Sequence, residues 1–382
     1  MTSARERMKR LTDELNELAT GLPRRVSLME VCGTHTVNAC RAGLHGLMPA
    51  SVRLLSGPGC PVCVTAQRYI DALVRLGERE GVTLATYGDM IRVAGEGGSL
   101  ELARSRGADV RVVTSTMEAV DLARANPGRE VVFAAVGFET TAPATAAAVL
   151  AAQRDGVRNF TVLPCHKLVI PAMRTLLDDP QVQIDGFLCP GHVSVIIGCG
   201  VYDEIVDRYA KPCVVSGFEA LQIMEGVVAL VRQLIEIDAG GRARNENLYP
   251  EVVRREGNRR AQELIDRVFV PGDSAWRALG VMEDSGLDLR PEFARFDAFE
   301  RFGVELGDDH EPPGCRCGEV ITGRCEPHEC KLFGTVCTPI YPVGPCMVSS
   351  EGSCQAWFKY RRAELTRERS RTLVGAAPGG GS

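Results

Sequence analysis

Three groups of cysteines carry the chemistry that this sequence advertises. The first is Gly57-Pro58-Gly59-Cys60-Pro61-Val62-Cys63, followed by a helical pattern with Val64, Ile70, Leu73 and Val74 on one face. Thiols at a helix start feel the positive end of the backbone dipole, which favours thiolate and lets the pair cycle between dithiol and disulfide. A half zinc knuckle or a tight turn is the competing reading, although the chain has no second Cys-x-x-Cys to complete a knuckle. The second group is Met29-Glu30-Val31-Cys32-Gly33-Thr34-His35-Thr36. Cys32 with His35 three residues on is either a nucleophile with its base or a metal ligand with nearby donors, and the residues alone leave both open.

The third group is the densest. Seven of the fifteen cysteines fall between Cys315 and Cys354, and Cys315, Cys330, Cys337 and Cys354 give a C-x14-C-x6-C-x16-C spacing. Intervening Gly and Pro let the backbone wrap thiolates around one centre. Paired zinc knuckles and the closely spaced ferredoxin run are both absent, so an iron–sulfur cluster is favoured and zinc stays open. Cys317, Cys325 and Cys346 are spare in this count, and Cys317 or Cys346 is a substitute for a chosen ligand.

Further polar groups follow candidate strands: Glu139, Thr140 and Thr141; Cys165, His166 and Lys167; Cys189 and His192. Helix capping and ligand contact are equally good roles for the first set. The histidines read as ligand-lining groups, against a bland role as satisfied structural side chains. No P-loop, G-x-S-x-G or H-E-x-x-H string supports nucleotide or common hydrolase chemistry.

The elements that must position these residues alternate. Short β-rich runs at Val26–Val31, Val52–Leu55, Val82–Thr86, Val110–Val113, Val131–Val136, Thr161–Leu163, Gly186–Leu188 and Pro212–Val215 are each followed by a helical pattern. Such alternation predicts a parallel α/β fold with ligands beyond the strand carboxyl ends. The expected division is one α/β domain at 26–126 and a second at 127–236, parting near Asn126-Pro127-Gly128. Met8, Leu11, Leu15 and Leu18 mark an amphipathic N-terminal helix. Beyond Ile237 come helical and then cysteine-rich segments, and 376–382 reads as a disordered tail.

Across 382 residues, 44 Lys+Arg against 49 Asp+Glu give a net charge of −5 with mixed signs, which offers nucleic acid or an anionic membrane no electrostatic footprint. No apolar run is long enough to span a bilayer, and the N-terminus lacks a signal-peptide core. The expectation is a cytoplasmic protein, in which fifteen cysteines point to metal and redox chemistry rather than to a disulfide framework.

Taken together, Glu30-Val31-Cys32-Gly33-Thr34-His35, the Gly57 to Cys63 string, Gly137-Phe138-Glu139-Thr140-Thr141-Ala142-Pro143, Pro164-Cys165-His166-Lys167-Leu168 and Gly344-Pro345-Cys346-Met347-Val348-Ser349-Ser350-Glu351-Gly352 closely resemble the HypD family of hydrogenase maturation proteins. The resemblance runs in order from about residue 5 to Tyr360. It implies a scaffold that works with the small chaperone HypC to assemble the Fe(CN)2CO unit of [NiFe] hydrogenases, with HypE as cyanide donor and HypF upstream. It also implies two α/β domains flanking a cleft, and a third domain, 1–25 with 237–375, holding a [4Fe–4S] cluster on Cys315, Cys330, Cys337 and Cys354. By the same resemblance Cys32 is the iron-binding thiol, shared with a HypC cysteine, and Cys60/Cys63 is a redox pair in chemistry like that of ferredoxin–thioredoxin reductase. His35, Thr36 and Thr140 are then the expected donors to bound cyanide. A cluster-dependent disulfide reductase and a zinc-stabilised interaction module are the rival readings.

Overall fold

A computed structural model describes residues 3–362; the expected tail at 376–382, with the end of the 237–375 region, lies outside the described residues. All eight expected strands are present. β1 (Val26–Glu30), β2 (Val52–Ser56), β3 (Val82–Thr86), β4 (Asp109–Val112), β5 (Glu130–Gly137), β6 (Phe160–His166), β7 (Gly186–Pro190) and β8 (Cys213–Ser216) are joined by a ninth, β9 (Asn245–Asn247). They form two parallel sheets, ordered β9-β8-β7-β1-β2 and β4-β3-β5-β6. β6 is buried along its whole length and β5 along all but its first residue, as strands covered by helices on both faces must be.

Strand pairing divides the chain differently from the expected parting near Asn126. β1 pairs on one side with β2 and on the other with β7, where Leu28 lies opposite Gly186, and β3 to β6 form a continuous insertion between β2 and β7. The Asn126–Gly128 turn therefore lies inside the second sheet unit, between β4 and β5. Rhythm alone reports how many strands there are; which ones pair is decided by tertiary packing.

The N-terminal helix Ala4–Ala19 starts with a Ser3/Glu6 capping box. It lays Met8, Leu11, Leu15 and Leu18 against the first sheet's core and packs along the Ala220–Asp238 helix, where Arg7 pairs with Glu225 at 2.8 Å. It thus belongs with the first sheet rather than with the cysteine-rich segment. The region beyond Ile237 is not only helical. β10 (Phe269–Trp276) and β11 (Gly280–Leu289) form an antiparallel hairpin with a bulge between Gly272 and Ser274.

A close backbone approach lies between the β1 and β2 ends. In-register pairing sets Glu30 opposite Ser56, so the Cys32 and Cys60 loops leave side by side. Gly57 N–H donates to Glu30 O at 2.8 Å and Gly33 N–H to Gly59 O at 3.2 Å. A Cβ on Gly59 would lie 2.3 Å from both Cα and N of Cys32. Neither side is a movable side chain, so only glycine fits. Gly59→Ala is expected to lower stability by about 3 kcal/mol or more in a denaturant titration, as overpacking against fixed backbone does. Gly128→Ala, where a Cβ meets nothing within 4 Å, stays within about 0.5 kcal/mol of the parent.

Candidate functional site

The carboxyl ends of the two sheets face each other across a cleft of about 510 Å³. The first sheet contributes Cys32, Thr34, Pro61, Val62 and His192, and the second contributes Asp89, Phe138, Thr140 and Thr141. Ser349, Ser350 and Glu351, from the cysteine-rich segment, complete the lining. These last residues tie the walls together. Asp89 Oδ2 accepts from Ser350 N at 2.8 Å, Ser350 Oγ at 2.9 Å and Ser349 Oγ at 3.2 Å, while Thr34 Oγ1 donates to Glu351 Oε1 at 2.9 Å.

Cys32 occupies the cap position of the Gly33–Arg41 helix in an extended conformation. It is 8% exposed, and that sliver opens on the cleft. Burial, helped by the Glu351 carboxylate, pushes its thiol up to about 11. Across the cleft mouth the His192 ring stacks on Phe218 at 3.9 Å, and burial lowers its affinity for a proton.

Several expected site residues turn elsewhere. His35 is fully buried, bonded through Nε2 to Gly217 O at 3.0 Å, and burial pulls it down to about 4. Thr36 Oγ1 donates to buried Glu30 Oε2 at 2.8 Å. Both lie on the inward face of a helix whose Thr34 faces the cleft, because residues one and two positions apart point in different directions. Glu139 accepts from Val169 N–H at 2.8 Å, so it serves the start of the Val169–Asp178 helix. Cys165 and His166 are buried in β6; burial raises the thiol to about 12 and lowers the imidazole to about 3. Lys167 is also buried, bonded to Ser274 Oγ with its ammonium 4.5 Å from the Tyr69 ring centre.

Cys60 and Cys63 are joined as a disulfide with Cα atoms 5.2 Å apart, both buried, at the start of the short Pro61–Val64 helix. Two helices of the cysteine-rich segment, Cys317–Ile321 and Pro345–Val348, pack directly against that helix. The hairpin closes its far end. Arg277 N–H donates to Val64 O at 2.8 Å, and the buried Arg277 guanidinium donates to Thr65 O at 3.1 Å.

Behind the disulfide, Cys315, Cys330, Cys337 and Cys354 line one small pocket together with Cys317 and Cys346. The Sγ atoms of Cys317 and Cys346 are 2.7 Å apart, and their coupling lowers the Cys317 thiol and raises Cys346. Main-chain N–H groups aim at two sulfurs, Cys317 N at Cys315 Sγ (3.4 Å) and Val343 N at Cys337 Sγ (3.3 Å). A Cβ on Gly344 would come within 2.6 Å of Cys315 Sγ. Bare backbone and N–H donors around soft sulfur are what a cluster cradle requires. Among the described residues no three ligand-type side chains stand at single-ion spacing. Cys315, Cys330, Cys337 and Cys354 form a soft-donor set that would hold an iron–sulfur cluster. Cys325 is buried outside this pocket.

The sequence named Cys317 and Cys346 only as spares, and it gave no sign of Arg277, whose partners are set by the hairpin. Among the described residues no helix is long and apolar enough to cross a membrane.

A cleft thiol, a buried disulfide and a cysteine-lined pocket thus succeed one another in a two-sheet α/β protein with a cysteine-rich segment. The chain belongs to the HypD family of hydrogenase maturation factors: the family model HypD, described as "Hydrogenase formation hypA family", matches residues 6–361. It is 46% identical to hydrogenase maturation factor HypD of Escherichia coli over 94% of this chain and 97% of that protein. It is also 46% identical to HypD2 of Bradyrhizobium diazoefficiens, over 87% and 89% respectively. A putative hydrogenase expression/formation protein of Methanocaldococcus jannaschii is 40% identical over 93% of this chain and 97% of its own length.

Burial raises the Glu139 carboxyl from its usual value near 4.5 to about 7. Ionising it therefore costs stability progressively between those two values, and the cost is fully present above the folded-state value. Glu139→Gln retains an oxygen for Val169 N–H. It is expected to raise unfolding free energy by about 1–3 kcal/mol at pH 8, with the gain fading toward pH 4.5, in parallel denaturant titrations.

Proposed function

We propose that this chain is the cytoplasmic scaffold on which, together with HypC, the Fe(CN)2CO unit of [NiFe] hydrogenases is assembled, with HypE supplying cyanide downstream of HypF. Cys32 grips the iron cargo, Cys60 and Cys63 form a redox-active pair, and Cys315, Cys330, Cys337 and Cys354 hold a [4Fe–4S] cluster. One observation carries this reading. The Pro61–Val64 helix touches the cysteine-rich helices bearing Cys317 and Cys346, while its leading Gly59 lies against the Cys32 backbone.

The roles follow from the surroundings. Cys32 gives up its proton as it binds iron, since the buried thiol favours the protonated form while a ferrous ion supplies the charge that stabilises thiolate. Pro61, Val62, Phe138 and Val193 form an apolar wall that keeps water from the cargo's diatomic ligands. Thr140 and His192, rather than His35 and Thr36, would donate to cyanide nitrogen, since both line the cleft, whereas the Thr34 and Thr141 hydroxyl protons go to Glu351 and to Phe138 O. A resident cluster supplies electrons singly. Opening the Cys60–Cys63 disulfide consumes two electrons and two protons, and Cys317 and Cys346 lie on the side from which the electrons arrive.

Anaerobically isolated complex with HypC is expected to show infrared bands of iron-bound cyanide and carbon monoxide. Cys32→Ala abolishes them; bands that persist in that variant contradict its role as ligand. Iron and sulfide analysis makes a separate check. Cys330→Ala combined with Cys337→Ala should leave less than about a tenth of the wild-type sulfide, because two of four ligands are gone.

A further inference from the structure

The loop between Cys330 and Val343 exposes apolar side chains on a fixed backbone. Cys337 N–H donates to Leu332 O at 2.8 Å, Gly334 N–H to Cys337 O at 3.0 Å, and Thr338 N–H to Tyr341 O at 3.1 Å. From the second sheet unit, Arg92 Nη2 donates to Pro339 O at 2.6 Å. Yet Val336 is 62% exposed, Ile340 76% and Tyr341 75%. Single exposed apolar residues are ordinary, whereas three within six positions on a pinned loop mark a contact surface. None of the three lines the cleft.

The charge beside the tip is mainly basic. Arg92 reaches Pro339, and Lys331, Lys359 and Arg362 are exposed in the same segment, while the nearby acids are engaged, Glu351 by Thr34, Glu326 by Arg53 and Glu329 by the Glu326 N–H. Lys331 adjoins Cys330, and the Arg362 guanidinium lies 4.8 Å from the Phe358 ring centre, which in turn sits against Phe333. An apolar tip with a basic surround is complementary to an acidic partner that docks briefly. Redox encounters bury little area and are steered by charge.

We propose that the Val336–Tyr341 tip is the docking surface for a small acidic one-electron carrier protein that reduces the cluster, an inference that rests on the cluster assignment above. Cys337 directly follows Val336 in sequence, so a carrier seated on the tip lies against the pocket wall. One electron leaves the reduced carrier and enters the oxidised cluster; no bond forms or breaks.

The test uses full-length, cluster-loaded protein and a reduced [2Fe–2S] ferredoxin of acidic type, with bleaching of the cluster followed by stopped flow. Wild-type reduction should slow about tenfold between about 20 and 200 mM salt. Ile340→Glu with Tyr341→Glu should slow it at least about tenfold at low salt while dithionite reduces the variant at the wild-type rate. Val281→Glu, at an exposed apolar position on the hairpin, leaves both rates unchanged. Gallium-substituted ferredoxin, which is redox-silent, should bind wild type and lose at least about tenfold affinity for the double variant. Reduction and binding that are unaltered in the double variant overturn the proposal. A variant that changes only sedimentation assigns the tip to a second copy of the chain and overturns it too. A wild-type protein in which dithionite bleaches nothing overturns the cluster assignment itself, and this proposal with it.

Discussion

Two neighbouring backbone turns approach so closely that no side chain fits between them, and the site is organised around that contact. Parallel pairing of β1 with β2 delivers both turns to one rim, and Gly59 lies flat on Cys32. The consequence is that Cys32 and the disulfide are placed by main-chain hydrogen bonds, not by flexible side chains.

Burial sets the electrostatics in the same direction at most of the isolated titrating groups. The Cys32 and Cys165 thiols are pushed up, the His35 and His166 imidazoles are pushed down, and Glu30 and Glu139 rise to about 8 and about 7. In the cleft itself, apolar Val62, Phe138 and Val193 stand beside two carboxylates, Asp89 and Glu351, that are engaged by Ser350 and Thr34. Side-chain donors on the cleft lining are confined to a few places, such as Thr140 and His192. The three-way junction at Ser349 to Glu351 adds rigidity, since one short segment answers to Asp89 on one wall and Thr34 on the other.

Strand existence was legible because β-rich runs alternate with helical patterns, and the cysteine spacing was legible because it is local. Sheet membership was not. Periodicity says nothing of which parallel strands pair, so the insertion of β3 to β6 between β2 and β7 escaped it. β9 reads Asn-Glu-Asn and has no β propensity; it is a strand because β8 offers it an edge. The hairpin hid behind Pro271, Gly272 and Asp273, and its turn uses Ala278 at φ 64° where glycine or asparagine would have given a signal. Within the Gly33–Arg41 helix, side-chain direction separated Thr34 from His35 and Thr36. The motif string carries all three and cannot tell which face is which.

The central claim is that the cysteine pocket, the disulfide and Cys32 form one connected sulfur system. Stepwise anaerobic photoreduction of the cluster-loaded protein, with alkylation and peptide mapping after each electron equivalent, tests it directly. The account predicts that Cys60 and Cys63 become alkylated together once two electrons beyond cluster reduction have entered, and remain protected in cluster-free protein under the same illumination. A Cys60–Cys63 disulfide that stays closed while the cluster cycles, or that opens equally well without the cluster, contradicts it.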